Sequence, residues 1–197
     1  MPHLNATRHT LLQAAHNEIY HRGYQAASLS KILKNTGLTK GALYHHFPDK
    51  RALGLAVIKE VIYPYFNDAI FINLENSATP IDTLVILLER SAANFSQEKA
   101  ILGCPLNNLM QEMSPLDEEF RQALSCILLR WQTVIKEGLQ RASAEGQIKQ
   151  INDVDDVALF IVSSWEGALG IAKNLQSVPA YRRCLMQLKN YVQSLKN

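Results

Sequence analysis

Between Ser28 and Arg51 the chain reads SLSKILKNTGLTKGALYHHFPDKR, and the residues able to act on a partner crowd into this stretch. Lys40, Tyr44 and Lys50 carry ammonium and phenol donors of the kind that phosphate oxygens accept. Gly41 has no side chain to hold a sugar–phosphate backbone away. Thr39, Ala42 and His45 offer a hydroxyl, a methyl and an imidazole, groups that can meet base edges. Ser28 adds a hydroxyl at the front of the stretch. A basic face alone would be only a solvated surface, so the spacing has to supply the meaning.

Two short helices are required to position these groups. Ser28 is a good N-cap, and Leu29, Ile32 and Leu33 follow on one helix face. Gly37 stands where this helix must end, because glycine takes φ > 0 without a steric penalty. Thr39 caps the second helix, whose Leu43 and Phe47 lie four apart and face inward. Lys40, Gly41, Ala42, Tyr44, His45 and His46 are left facing mostly outward. A helix, a turn of about three residues and a second helix with a polar face form a helix-turn-helix, with the second helix suited to a DNA major groove.

At these residues the chain resembles the TetR family of bacterial transcriptional regulators. The likeness rests on Thr39-Lys40-Gly41-Ala42-Leu43-Tyr44-His45-His46-Phe47 followed by Asp49-Lys50. It reaches back through Arg22-Gly23-Tyr24 to a helix starting near Asn5, and covers roughly residues 5–60. Leu33 departs from the pattern, in which a small alanine usually follows the isoleucine. The resemblance implies an all-helical homodimer that represses transcription from a palindromic operator in double-stranded DNA. It also implies release when a small-molecule or electrophile inducer reaches the C-terminal domain.

Charge is distributed to match. Residues 1–52 hold seven basic residues against two acidic ones, a net +5; with +2 for the whole chain, the remainder carries −3. A basic head on a mildly acidic body is the footprint of a nucleic-acid module joined to another domain. No apolar run reaches the ~18 residues needed to span a bilayer, and no signal pattern opens the chain, so a cytoplasmic protein is expected. The 3 cysteines, widely spaced and odd in number, argue against a disulfide framework. No CxxC, HExxH, nucleophile elbow or phosphate-binding glycine loop occurs, so neither an enzyme nor a cofactor is expected. Adjacent His45 and His46 would point about 100° apart on a helix, which disfavours a shared metal.

The remaining periodicities are helical throughout, predicting an all-α fold of about nine helices. Residues 1–50 are expected to form the DNA-binding domain, and 51–197 a helical ligand-binding and dimerisation domain. A first helix from Asn5 to about Arg22 shows the stripe Leu11, Leu12, Ala15 and Ile19. The helix opened by Pro48-Asp49 is expected to bend at Pro64. Thr79 and Asn152 are expected to cap later helices, and Asp117 begins the acidic first turn of a long one.

In the body, Phe66, Phe95, Asn108, Met110, Met113, Trp131 and Trp165 are candidates to line a ligand cavity, though core packing is the plainer role for any one of them. Gly167 and Gly170 interrupt a helix at a cost of ~1 kcal/mol each relative to alanine, which suggests close approach of another helix. With the seam Leu185, Leu188 and Val192 they predict a four-helix dimer interface; packing within one chain is the alternative. Cys104 precedes Pro105, the favoured first helical residue, so its thiol is expected to cap the helix and favour thiolate. Gly103-Cys104, Leu109, Glu112, Leu116, Glu118 and Arg121, with Trp165, Gly167, Ala168 and Ala172-Lys173, resemble the oxidant- and electrophile-sensing branch of the family, that of the N-ethylmaleimide-reductase repressor. On that resemblance Lys173 would lie near Cys104, and Cys104 would react before Cys126 and Cys184. A buried, inert Cys104 beside an ordinary pocket stays open as the alternative. A rival from another class is a ligand-binding helical protein whose DNA-binding head is vestigial.

Overall fold

Apolar residues at steps of three and four recur along the whole chain, and helices form wherever they do. The computed structural model describes the backbone of residues 2–197 and the side chains from residue 6. The helices are α1 (Pro2–Arg22), α2 (Leu29–Thr36), α3 (Lys40–His46), α4 (residues 50–75), α5 (Pro80–Ala93), α6 (Gln97–Leu102), α7 (Pro105–Met113), α8 (Glu118–Ala144), α9 (Val154–Leu175) and α10 (Val178–Ser194). Among the described residues no strand forms; a single antiparallel bridge joins Ile148 to Lys196. The fold is all-α, as the periodicity predicts.

Two local expectations change, and a third gains detail. α1 begins upstream of Asn5, at Pro2. At Pro64, where a bend is expected, the helix is irregular: a five-residue π stretch, Ile58–Ile62, precedes it and a second follows at Asn67–Phe71. The wider turn rearranges the hydrogen bonds where proline has no N–H to give. Asp153 rather than Asn152 caps α9, its carboxylate accepting the Asp156 N–H at 3.0 Å.

The chain divides into two units: residues through Tyr65 with Asn108–Ser125, and Phe66–Asn107 with Cys126–Asn197. In the first, α1 packs on α2, α3 and the start of α4. Leu11, Leu12, Ala15 and Ile19 are buried as expected, together with Ile32, Leu43, Phe47 and Leu53. Tyr24 and Phe120 meet with ring centroids 4.7 Å apart. They lie so close over Gly54 that a Cβ there would come within 2.6 Å of Tyr24 and 2.8 Å of Phe120. In the second unit α10 packs on α5 and α9, and α6 packs on α9. No helix of the described residues is long and apolar enough to cross a membrane.

Candidate functional site

The first unit presents α3. Gly37 takes φ 68°, and its N–H bonds the Leu33 carbonyl at 3.0 Å, closing α2. Thr39 is extended, and its Oγ1 accepts the Ala42 N–H at 3.2 Å, opening α3. Leu43 and Phe47 are 0% and 2% exposed, which fixes the opposite face outward. Thr39, Lys40, Gly41 and His45 are exposed on it, Ala42 is half-buried, and Tyr44 stands 52% exposed. His45 and His46 lie edge-to-face at 5.2 Å.

Two of the expected DNA-binding residues, Ser28 and Lys50, have partners within the unit. Ser28 holds the N-cap position of α2, but its hydroxyl pairs with Ser30 at 3.0 Å and caps no N–H. Lys50 turns inward: its Nζ donates to the Gln25 carbonyl at 2.9 Å and lies 4.8 Å from the Tyr24 ring. Burial lowers its pKa from the ordinary lysine value. The carbonyl and the aromatic face offset part of that loss of hydration.

Around this turn the unit is held by acidic residues from its second segment. Glu112 accepts the N–H groups of Tyr24 and Gln25, each at 2.8 Å. Gly23, with φ 82°, leaves room for that carboxylate, which a Cβ would approach to 3.0 Å. Arg51 makes a bidentate pair with Asp117 at 2.6 and 2.9 Å and reaches Glu119 at 2.7 Å. The Arg51 guanidinium, helped by the Phe120 and Glu119 N–H groups, holds the Asp117 carboxyl down to about 2. These clamps leave no trace in hydrophobic periodicity, because each joins charged residues far apart in sequence.

The second unit buries a polar cluster within aromatic surroundings. Glu166 is 5% exposed; its Oε1 receives the Cys104 thiol at 3.4 Å and its Oε2 receives Asn107 Nδ2 at 3.0 Å. Trp165 Nε1 donates to the Tyr181 hydroxyl at 3.0 Å, and that hydroxyl pairs with Ser91 at 2.7 Å. Trp131 meets Trp165 edge-to-face at 5.2 Å and Phe66 at 5.3 Å. Trp131 is 1% exposed, and its Nε1 has no hydrogen-bond partner among the described residues. Phe95 stacks on Tyr181 at 3.9 Å. The expected candidates Trp131, Trp165, Phe66 and Phe95 are thus brought together. Asn108 is half-buried and belongs to the first unit; its neighbour Asn107 supplies the polar contact. Glu166 could have been found as a lone carboxylate on the apolar stripe of Val162, Trp165 and Ala168; Asn107 and Tyr181 carry no such signal.

The thiolate expectation for Cys104 is overturned. Its sulfur does receive the backbone N–H groups of Leu106 and Asn107, as a cap would. Burial and the facing Glu166 carboxyl outweigh them and push the thiol well above its ordinary value. Lys173 lies exposed on α9, and the charge bearing on Cys104 is negative. Cys126 and Cys184 are exposed whereas Cys104 is buried, so access favours the two cysteines expected to be slow.

The seam Leu185, Leu188 and Val192 is also not free to join two chains. These residues are 1%, 5% and 0% exposed, spent within one chain where α10 packs on α5 and α9. Gly167 and Gly170 are exposed, and a Cβ at either would meet nothing within 4 Å. They share the outer face of α9 with Phe160 and Ile171, 49% and 53% exposed.

The chain matches two family profiles, "Bacterial regulatory proteins, tetR family" over residues 11–57 and "Tetracyclin repressor-like, C-terminal domain" over residues 80–188. It is 29% identical to the transcriptional regulator AcuR of Cereibacter sphaeroides, covering 87% of this chain and 78% of AcuR. It is 32% identical to an HTH-type transcriptional regulator from the lacX 3′ region of Lactococcus lactis, covering 69% of each. To the HTH-type transcriptional repressor NemR of Escherichia coli it is 23% identical over 94% of each chain. The crystal structure of reduced NemR superposes with a TM-score of 0.83 at 24% identity, covering 94% of this chain and 96% of that one, a likeness of fold.

Proposed function

Because this chain belongs to the TetR family of helix-turn-helix transcriptional regulators, we propose that it is a homodimeric repressor of a near-palindromic operator, released by a small molecule bound in the second unit. The observation that carries the reading is the outward face of α3. Tyr44 remains about half exposed beside Lys40 and Gly41, at the middle of the helix that would enter the major groove. A vestigial head would have little reason to keep that face so open and so exactly spaced by buried Leu43 and Phe47. The relative NemR is named a repressor, which supports the sign of regulation.

Dimerisation is supported by the outer face of α9. Gly167 and Gly170 cost helix stability and relieve no contact within the chain, so a second copy approaching closely is the reason they fit. A ligand held without covalent chemistry suits the second unit better than attack on Cys104, whose thiol is buried and kept protonated. Asn107 at the first turn of α7 touches Glu166, and Glu112 at its last turn grips Tyr24 and Gln25.

Genomic fragments retained by the protein supply the operator, and fluorescence anisotropy then measures binding against salt. Affinity should fall with a log–log slope of ~0.9 per neutralised phosphate. Lys40→Ala and Tyr44→Phe should each weaken binding several-fold while leaving the thermal transition in place. Wild-type affinity in both variants would remove α3 as the contact face.

A further inference from the structure

The proposed inducer site contains a donor in search of an acceptor. Trp131 is buried among Trp165 and Phe66, and its indole N–H can only donate. Its neighbour Trp165 shows what the environment normally provides, an oxygen at 3.0 Å. Trp131 Nε1 has none among the described residues. Buried donors are almost always paired, so an unpaired one inside a regulator's ligand-binding unit marks a place a ligand atom completes.

We infer that this aromatic cluster binds a neutral carbonyl compound with a small apolar body, its oxygen accepting from Trp131 Nε1. The inference rests on the regulator reading and names the inducer's chemistry. Charge decides between the possible acceptors. The only buried charged side chains among the described residues are Glu18, in the first unit, and Glu166. A carboxylate ligand would therefore find no buried cation among the described residues. Burial also holds the Glu166 carboxyl toward its neutral form, in keeping with a neutral guest. An organic cation would suit Glu166 and the aromatic faces, but would leave the indole donor unpaired.

The protein has 2 tryptophans, so labelling full-length protein with nitrogen-15 tryptophan gives two indole N–H signals, one per residue. Trp131→Phe and Trp165→Phe each remove one signal, which assigns both even if one variant folds poorly. Acetophenone is compared with ethylbenzene, its near-isostere without the oxygen, and with benzoate and benzyltrimethylammonium. Acetophenone should move the Trp131 signal downfield and bind roughly tenfold more tightly than ethylbenzene, the factor expected for one satisfied hydrogen bond. That preference should vanish in Trp131→Phe and persist in Trp165→Phe. Equal binding of the two, as when a trapped water already satisfies Nε1, overturns the inference. So does tighter binding of benzoate or the ammonium probe with the Trp131 signal unmoved, or no binding of any probe. Operator binding is followed on the same samples. DNA bound with Trp131 untouched by acetophenone defeats this inference alone, whereas failure to bind any operator defeats the regulator reading.

Discussion

At the scale of single residues, burial decides the chemistry that residue type leaves open. Cys104 has the capping position that favours thiolate, yet it lies in the core facing a carboxyl. Brief treatment with N-ethylmaleimide at pH 7.5 should therefore modify the exposed Cys126 and Cys184 before Cys104, read by peptide mass spectrometry. Early alkylation of Cys104 would restore it as a sensor. Glu166 makes a second prediction. Burial raises its folded pKa above the unfolded value. A group so shifted adds stability below its unfolded pKa and loses it as pH rises through the folded one. Glu166→Gln keeps the shape and one of the two acceptor oxygens without the charge, so its Tm relative to wild type should be higher at pH 8 than near pH 4. A constant difference across that range would mean the carboxyl is not what titrates.

At the scale of elements, α7 belongs to the body by sequence order but its later residues fold with the head. Glu112 satisfies the Tyr24 and Gln25 N–H groups in the turn between α1 and α2. Glu112→Ala should destabilise the first unit by ~2 kcal/mol, the range for hydrogen bonds to a charged group. Hydrogen exchange at the Tyr24 and Gln25 amides should speed up, and operator affinity should drop with it. Unchanged exchange at both amides would show that the clamp contributes nothing in solution. This contact was invisible in the one-dimensional pattern, since helical periodicity reports which face is buried and not which distant carboxylate closes a turn.

At the scale of the whole molecule, the proposed dimer would set one head on each half-site, and successive half-sites lie ~34 Å apart. Gly167→Arg places a charged side chain on the exposed face of α9, where a single protomer has open space for it. The protomer should stay folded by circular dichroism, sediment as a monomer at micromolar concentration, and lose about 100-fold in operator affinity through lost avidity. A variant that remains dimeric would put the interface elsewhere. Changes at Leu188 test something different, because that residue is 5% exposed inside its own chain and its loss should cost stability first.

What the amino-acid order alone determined was local. Gly37 and Thr39 mark helix ends through backbone φ and capping, and Leu43 with Phe47 decides which side of α3 faces out; each of these acts within a few residues of itself. The helix-turn-helix and the all-α class follow from such short-range terms. What only the tertiary structure decided involves residues distant in sequence whose burial and charge depend on one another. Cys104 meets Glu166 across 62 positions, Lys50 turns back to Gln25, and Leu188 spends its apolar surface within one chain. An apolar heptad looks the same whether its partner helix comes from its own chain or another, and a cap looks reactive until the charge facing it is known.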